Sequence, residues 1–128
     1  MRRYEMNERE QRISFKVTDH SETTAVIEMS GDLDMYTLPD AKNKVSELIE
    51  SGKKYLVMDL TGIQYVDSSG LGFFIGTLKK LRDKSGDMKL INLNNYIHGI
   101  FKLIHLHYII EVCESLDEAL VKFGETKA

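Results

Sequence analysis

The 128-residue sequence contains one cysteine, Cys113, and one proline, Pro39. A lone cysteine excludes a disulfide framework within the chain and fits a reducing compartment. Its thiol is expected to serve as a small buried apolar group. No apolar stretch approaches the roughly 20 residues that cross a bilayer, so no membrane partner is expected. Met1-Arg2-Arg3-Tyr4-Glu5 has no apolar run after its charges, so no secretory signal is expected and the cytoplasm is the expected location. Basic residues are not in excess either, with 17 Lys and Arg against 20 Asp and Glu for a formal charge of −3. A nucleic-acid backbone calls for a basic stripe, so direct nucleic-acid binding is not expected.

What is present suits one domain. The apolar fraction of 42% is enough to fill one core, and 29% charged residues give an ordinary soluble surface. No internal repeat, low-complexity tract or linker interrupts the chain. Residues 1–11 are polar and charged and read as an extension. Ile13, Phe15 and Val17 then alternate with polar neighbours as a half-buried strand, and a second strand carries Ala25, Ile27 and Met29. The polar turn Asp19-His20-Ser21-Glu22 joins them into a hairpin.

Thr37-Leu38-Pro39-Asp40 opens a helix, with Thr37 as its expected cap. Its stripe is Leu38, Ala41, Val45, Leu48 and Ile49, and Gly52 stops it. Tyr55-Leu56-Val57-Met58 reads as a strand covered on both faces. A loop is expected over Asp59–Asp67, then a helix from about Ser69 to Lys84 that Gly86 closes. Leu71, Phe74, Ile75, Leu78 and Leu81 are its expected core stripe, which leaves Phe73 as an exposed aromatic suited to partner contact. Met88–Leu93 is the next strand. Asn95 is expected to cap a helix bearing Ile97, Ile100, Phe101 and Ile104, and Tyr108–Val112 reads as a short strand. Ser115-Leu116-Asp117-Glu118 is a capping box opening a last helix. The order β-β-α-β-α-β-α-β-α implies an α/β domain with a mixed, mostly parallel sheet, one antiparallel N-terminal strand and about four helices.

Asp67-Ser68-Ser69-Gly70-Leu71-Gly72 is small, polar and glycine-rich where a helix should begin. Ser68 or Ser69 can cap that helix, while Gly70 and Gly72 weaken its first turn. Close approach of another molecule would explain the glycines; so would tight packing. A phosphate cradle lacks the G-x-x-x-x-G-K-[ST] pattern and a nearby lysine. A nucleophilic serine lacks G-x-S-x-G, and His98, His105 and His107 have no evident claim to be its base. A phosphoacceptor serine fits a helix start, where the macrodipole tolerates an added phosphate.

That hexapeptide, preceded by Val57-Met58-Asp59-Leu60 and Tyr65-Val66, resembles the signature of bacterial anti-sigma-factor antagonists of the STAS type. Gly31-Asp32-Leu33-Asp34, just before the first helix, resembles the second recurring motif of that family. The resemblance implies a STAS domain over residues 12–124, with a charged N-terminal extension over 1–11 and a C-terminal tail over 125–128. It implies a protein-binding switch without catalysis, cofactor or metal. The family's regulatory serine immediately follows the motif's aspartate, which here is Ser68. The implied partner is an anti-sigma factor that is also the serine kinase. The unphosphorylated antagonist captures it and frees the sigma factor for transcription, phosphorylation breaks the complex, and a serine phosphatase restores it. The match carries over Asp34, Asp67, Ser69, Gly70 and Gly72 as partner-binding residues; the two aspartates either position the kinase or hydroxyl, or cap backbone amides.

Two departures stand out. The charged extension is longer than the family minimum, and His105 sits where relatives often have glycine, so the turn there is expected to differ. Two other readings remain open: a STAS module of a lipid-transport or sensory assembly, and a small serine-dependent hydrolase. The extension lacks a buried stripe, so a chain beginning at Gln11 is expected to melt within a few degrees of the full chain. A loss beyond about 2 kcal/mol, the worth of one buried apolar side chain, would mean that the segment docks on the domain.

Overall fold

In the computed structural model, which describes residues 12–124, the alternating residues form β1 (Ile13–Asp19), antiparallel to β2 (Thr24–Leu33). The extension over 1–11 and the tail over 125–128 lie outside the described residues. There follow α1 (Leu38–Glu50), β3 (Tyr55–Val66), α2 (Ser68–Asp83), β4 (Asp87–Ile91) and α3 (Asn95–Leu103). A 3-10 turn (Leu106–Tyr108), β5 (Glu111–Cys113) and α4 (Leu116–Lys122) complete the order. The five strands lie side by side as β1-β2-β3-β4-β5, with every pair after the first parallel. Each crossover adds its strand at the same edge, so right-handed connections put α1, α2 and α3 on one face.

Most of the core lies under those three helices. Ile27, Met29, Met58 and Leu90 of the sheet meet Val45, Phe74 and Phe101 there, and the last two rings pack edge to face at 5.9 Å. On the other face Val26, Val57, Ile91 and Cys113 lie under Ala119 of α4. Cys113 is buried as its solitude suggests, and loss of hydration pushes its thiol up to about 11.

Several boundaries differ from the sequence reading. The loop expected over Asp59–Asp67 is for the most part strand: β3 runs on to Val66. Beyond Asp59 it has left β4 behind and pairs with β2 alone, through two register shifts. A two-stranded overhang is half-solvated, so buried Ile63 and Val66 stand among exposed Thr61, Gln64 and Tyr65 with no period of two, and the segment reads as loop. Asn94, not Asn95, caps α3, its side chain accepting from the Ile97 amide at 2.8 Å. The strand expected over Tyr108–Val112 is shorter and later, because Tyr108 closes the 3-10 turn and only Glu111, Val112 and Cys113 pair with β4. His105 takes φ 61 and ψ 26, the left-handed region that glycine favours, so its turn has a backbone that a glycine would also adopt.

On α2 the buried positions are Gly70, Phe73, Phe74, Thr77, Leu78 and Leu81. The stripe is the i, i+3, i+4 pattern started one residue earlier than hydropathy suggests, because glycine and threonine occupy two of its places. Ile75 is therefore 44% exposed rather than core, and Phe73 is 4% exposed rather than a surface aromatic.

Candidate functional site

The overhang of β2 and β3 ends with Leu33 opposite Val66, so the residues that follow, Asp34 and Asp67, leave the sheet together. The Asp67 amide extends the ladder by donating to Leu33 O at 3.2 Å. Register alone brings the two aspartates of the sequence motifs to one end of the sheet.

Each carboxylate is used on backbone. Asp67 is the N-cap of α2, with Oδ1 accepting from the Gly70 amide at 3.0 Å while Oδ2 accepts from the Met35 amide at 3.2 Å. Asp34 Oδ1 accepts from the amides of Tyr36 at 2.9 Å and Thr37 at 3.1 Å, folding the β2–α1 loop into a tight turn. Arg12 reaches across from the start of β1, its guanidinium 3.7 Å from Asp34 Oδ2 and 5.3 Å from the Tyr36 ring. Thr37 is not a side-chain cap of α1, contrary to expectation. Its hydroxyl donates to Asp32 O at 2.8 Å and accepts from the Asp34 amide at 3.0 Å, locking the same turn. Neither serine caps α2: Asp67 has that role, which leaves Ser68 exposed on the first turn and Ser69 half-buried.

The two glycines differ. A Cβ on Gly70 would stand 2.5 Å from Leu33 O and 2.8 Å from Val66 Cγ1, so this glycine lets the helix start seat against the strand ends. A Cβ on Gly72 would meet nothing within 4 Å. Gly72 and Ser69 open instead onto a cleft of about 320 Å³ between α1 and α2, and buried Phe73 lines it.

The sequence reading missed four exposed side chains around this end of the sheet. Met35, Tyr36, Tyr65 and Tyr96 are 61%, 57%, 45% and 52% exposed, and the rings of Tyr65 and Tyr96 stack at 6.5 Å. They come from three separate segments and share no periodicity, so only the fold assembles them. The histidines do not join them through any hydrogen bond among the described residues: His105 and His107 flank Tyr108 beyond α3, and His107 Nδ1 lies 3.3 Å from Phe101 O.

The profile of the STAS domain family matches residues 15–119. The chain is similar to the anti-sigma-B factor antagonist of Listeria monocytogenes, 31% identical over 100 residues that cover 78% of this chain and 88% of the relative. It is similar to the Staphylococcus aureus anti-sigma-B factor antagonist at 28% identity over 91 residues, 71% and 84% of the two chains. In structure it resembles an anti-sigma factor antagonist from Mycobacterium paratuberculosis, with a TM-score of 0.78, 25% identity and coverage of 88% and 95%.

The glycine geometry sets an expected contrast. Gly70→Ala should lower stability by about 1–3 kcal/mol through overpacking, more than its gain in helix propensity. Gly72→Ala should raise it by about 0.5–1 kcal/mol. Denaturant melts of the two variants check this; equal shifts would mean that α2 does not seat on the strand ends as described.

Proposed function

The chain belongs to the STAS domain family, and from that premise we propose that it is an anti-sigma-factor antagonist: a non-catalytic, cytoplasmic protein-binding switch gated by phosphorylation of Ser68. In this reading the unmodified protein captures an anti-sigma factor that is also its serine kinase, and the sigma factor is freed for transcription. Phosphate on Ser68 breaks the complex and a serine phosphatase remakes it.

The observation that carries the reading is the placement of Ser68. It is exposed on the first turn of α2, directly after Asp67, whose carboxylate bridges the helix start and the neighbouring loop. A kinase therefore meets a hydroxyl on a fixed platform. Met35, Tyr36, Tyr65 and Tyr96 offer apolar area around it, of the kind that anchors protein interfaces. The antagonist names of the Listeria and Mycobacterium relatives support the partner class.

In this footprint Asp34 and Asp67 act by shaping the rim, Ser69 and Gly72 supply the close backbone surface beside the hydroxyl, and Gly70, itself buried, acts by seating the helix start on the strand ends. Phe73, being buried, contributes as the wall of the adjoining cleft. The fold survives the modification because a phosphate at Ser68 faces helix N-terminal amides and displaces nothing buried.

Ser68→Ala is expected to abolish phosphate incorporation by the cognate kinase while the variant remains folded. Full incorporation in that variant, mapped to Ser69 by mass spectrometry, would overturn the assignment.

A further inference from the structure

The cleft between α1 and α2 has a chemistry of its own. Leu38 and Val45 of α1 and Phe73 of α2 give it an apolar floor, and its volume is about 320 Å³. That lies at the lower end of the roughly 300–1,000 Å³ of small-ligand sites. Room for it exists because Gly76, like Gly72, has no Cβ and nothing within 4 Å of where one would stand. Lys42 follows Leu38 by one turn and Lys80 follows Gly76 by one turn, so each shares the face of a residue that lines the cleft. No acidic residue lines it, and neither lysine is in an ion pair among the described residues. An apolar trough with two uncompensated ammonium groups and no acid complements a molecule with an apolar body and an anionic head.

We propose that this cleft binds a medium-chain carboxylate of the fatty-acid class, its chain against Leu38, Val45 and Phe73 and its carboxylate between Lys42 and Lys80. The volume favours one short acyl chain over a peptide helix. Binding needs no partner protein. Ser69 and Gly72 line the cleft beside Ser68, so an occupied cleft lies within the footprint proposed for the kinase; that consequence alone rests on the function proposed above.

The test is a titration of the full chain with sodium decanoate below its micellar range, followed by amide NMR and calorimetry, with no kinase present. Saturable one-to-one binding is expected, with shifts centred on Val45, Gly72, Phe73 and Gly76. Each methylene in the cleft should change affinity about fourfold, so octanoate should bind roughly fifteenfold more weakly. Decanol, and decanoate with the Lys42→Gln, Lys80→Gln double variant, should each bind at least about fivefold more weakly than decanoate does to the native chain. Gly76→Leu puts a side chain at the cleft wall, where a Cβ meets nothing within 4 Å, and should abolish binding while thermal melts show a folded protein. Absence of saturable shifts, shifts centred elsewhere, equal affinity for octanoate and decanoate, or binding unchanged in folded Gly76→Leu would each overturn the proposal.

Discussion

The Asp67 carboxylate is the joint on which the candidate site depends. One oxygen holds the Gly70 amide and the other the Met35 amide, so a single side chain fixes the end of β3, the first turn of α2 and the β2–α1 loop relative to one another. A carboxylate capping a helix typically stabilises it by about 0.5–2 kcal/mol and gains further from the positive end of the macrodipole. Two constraints make the joint possible. Leu33 pairs with Val66, which brings the aspartates out of the sheet together, and Gly70 lets the helix backbone come within reach of the strand ends. Asp34 and Thr37 complete the arrangement by using their own polar atoms on the loop. The charged residues of the two motifs thus build a rigid rim, and the serine between cap and glycine is left facing outward.

Legibility in the sequence followed burial. Strands and helices with one face in the core were readable from periodicity: β1, β2, α1 and the start of α4 stand where the pattern puts them, and Ser115 Oγ accepts the Glu118 amide at 3.1 Å, while the Glu118 carboxylate accepts from the Glu114 amide at 2.7 Å rather than from that of Ser115 as in a full capping box. The far half of β3 was not, because an overhang paired on one side has mixed polarity. Phe73 and Ile75 exchanged roles because α2 packs against α1 as well as the sheet, and its buried arc passes through Gly70 and Thr77. Hydropathy does not register a glycine buried for lack of room. The motif residues could be named from the chain, but not the grouping of Met35, Tyr36, Tyr65 and Tyr96 around them, which only the fold brings together.

On the proposed function, such a rim suits a switch that works by charge rather than by refolding. Phosphate at Ser68 adds about −1.5 to −2 charges to an end of the sheet that carries the carboxylates of Asp34 and Asp67, where the one guanidinium among the described residues, Arg12, is already paired with Asp34 and the other exposed groups are tyrosines and a methionine. In the free protein water solvates that charge. In a complex shaped for a hydroxyl it is stripped of water and left without a counter-charge. An uncompensated charge at an interface costs about 2–5 kcal/mol, roughly 30- to 5,000-fold in affinity.

Titration calorimetry of the anti-sigma kinase against the unmodified and the Ser68-phosphorylated protein is therefore the most direct measurement. The account predicts that phosphate weakens the complex at least about 30-fold, with the phosphorylated protein retaining its unmodified melting behaviour. An affinity change below about threefold, which corresponds to less than about 1 kcal/mol, would contradict it.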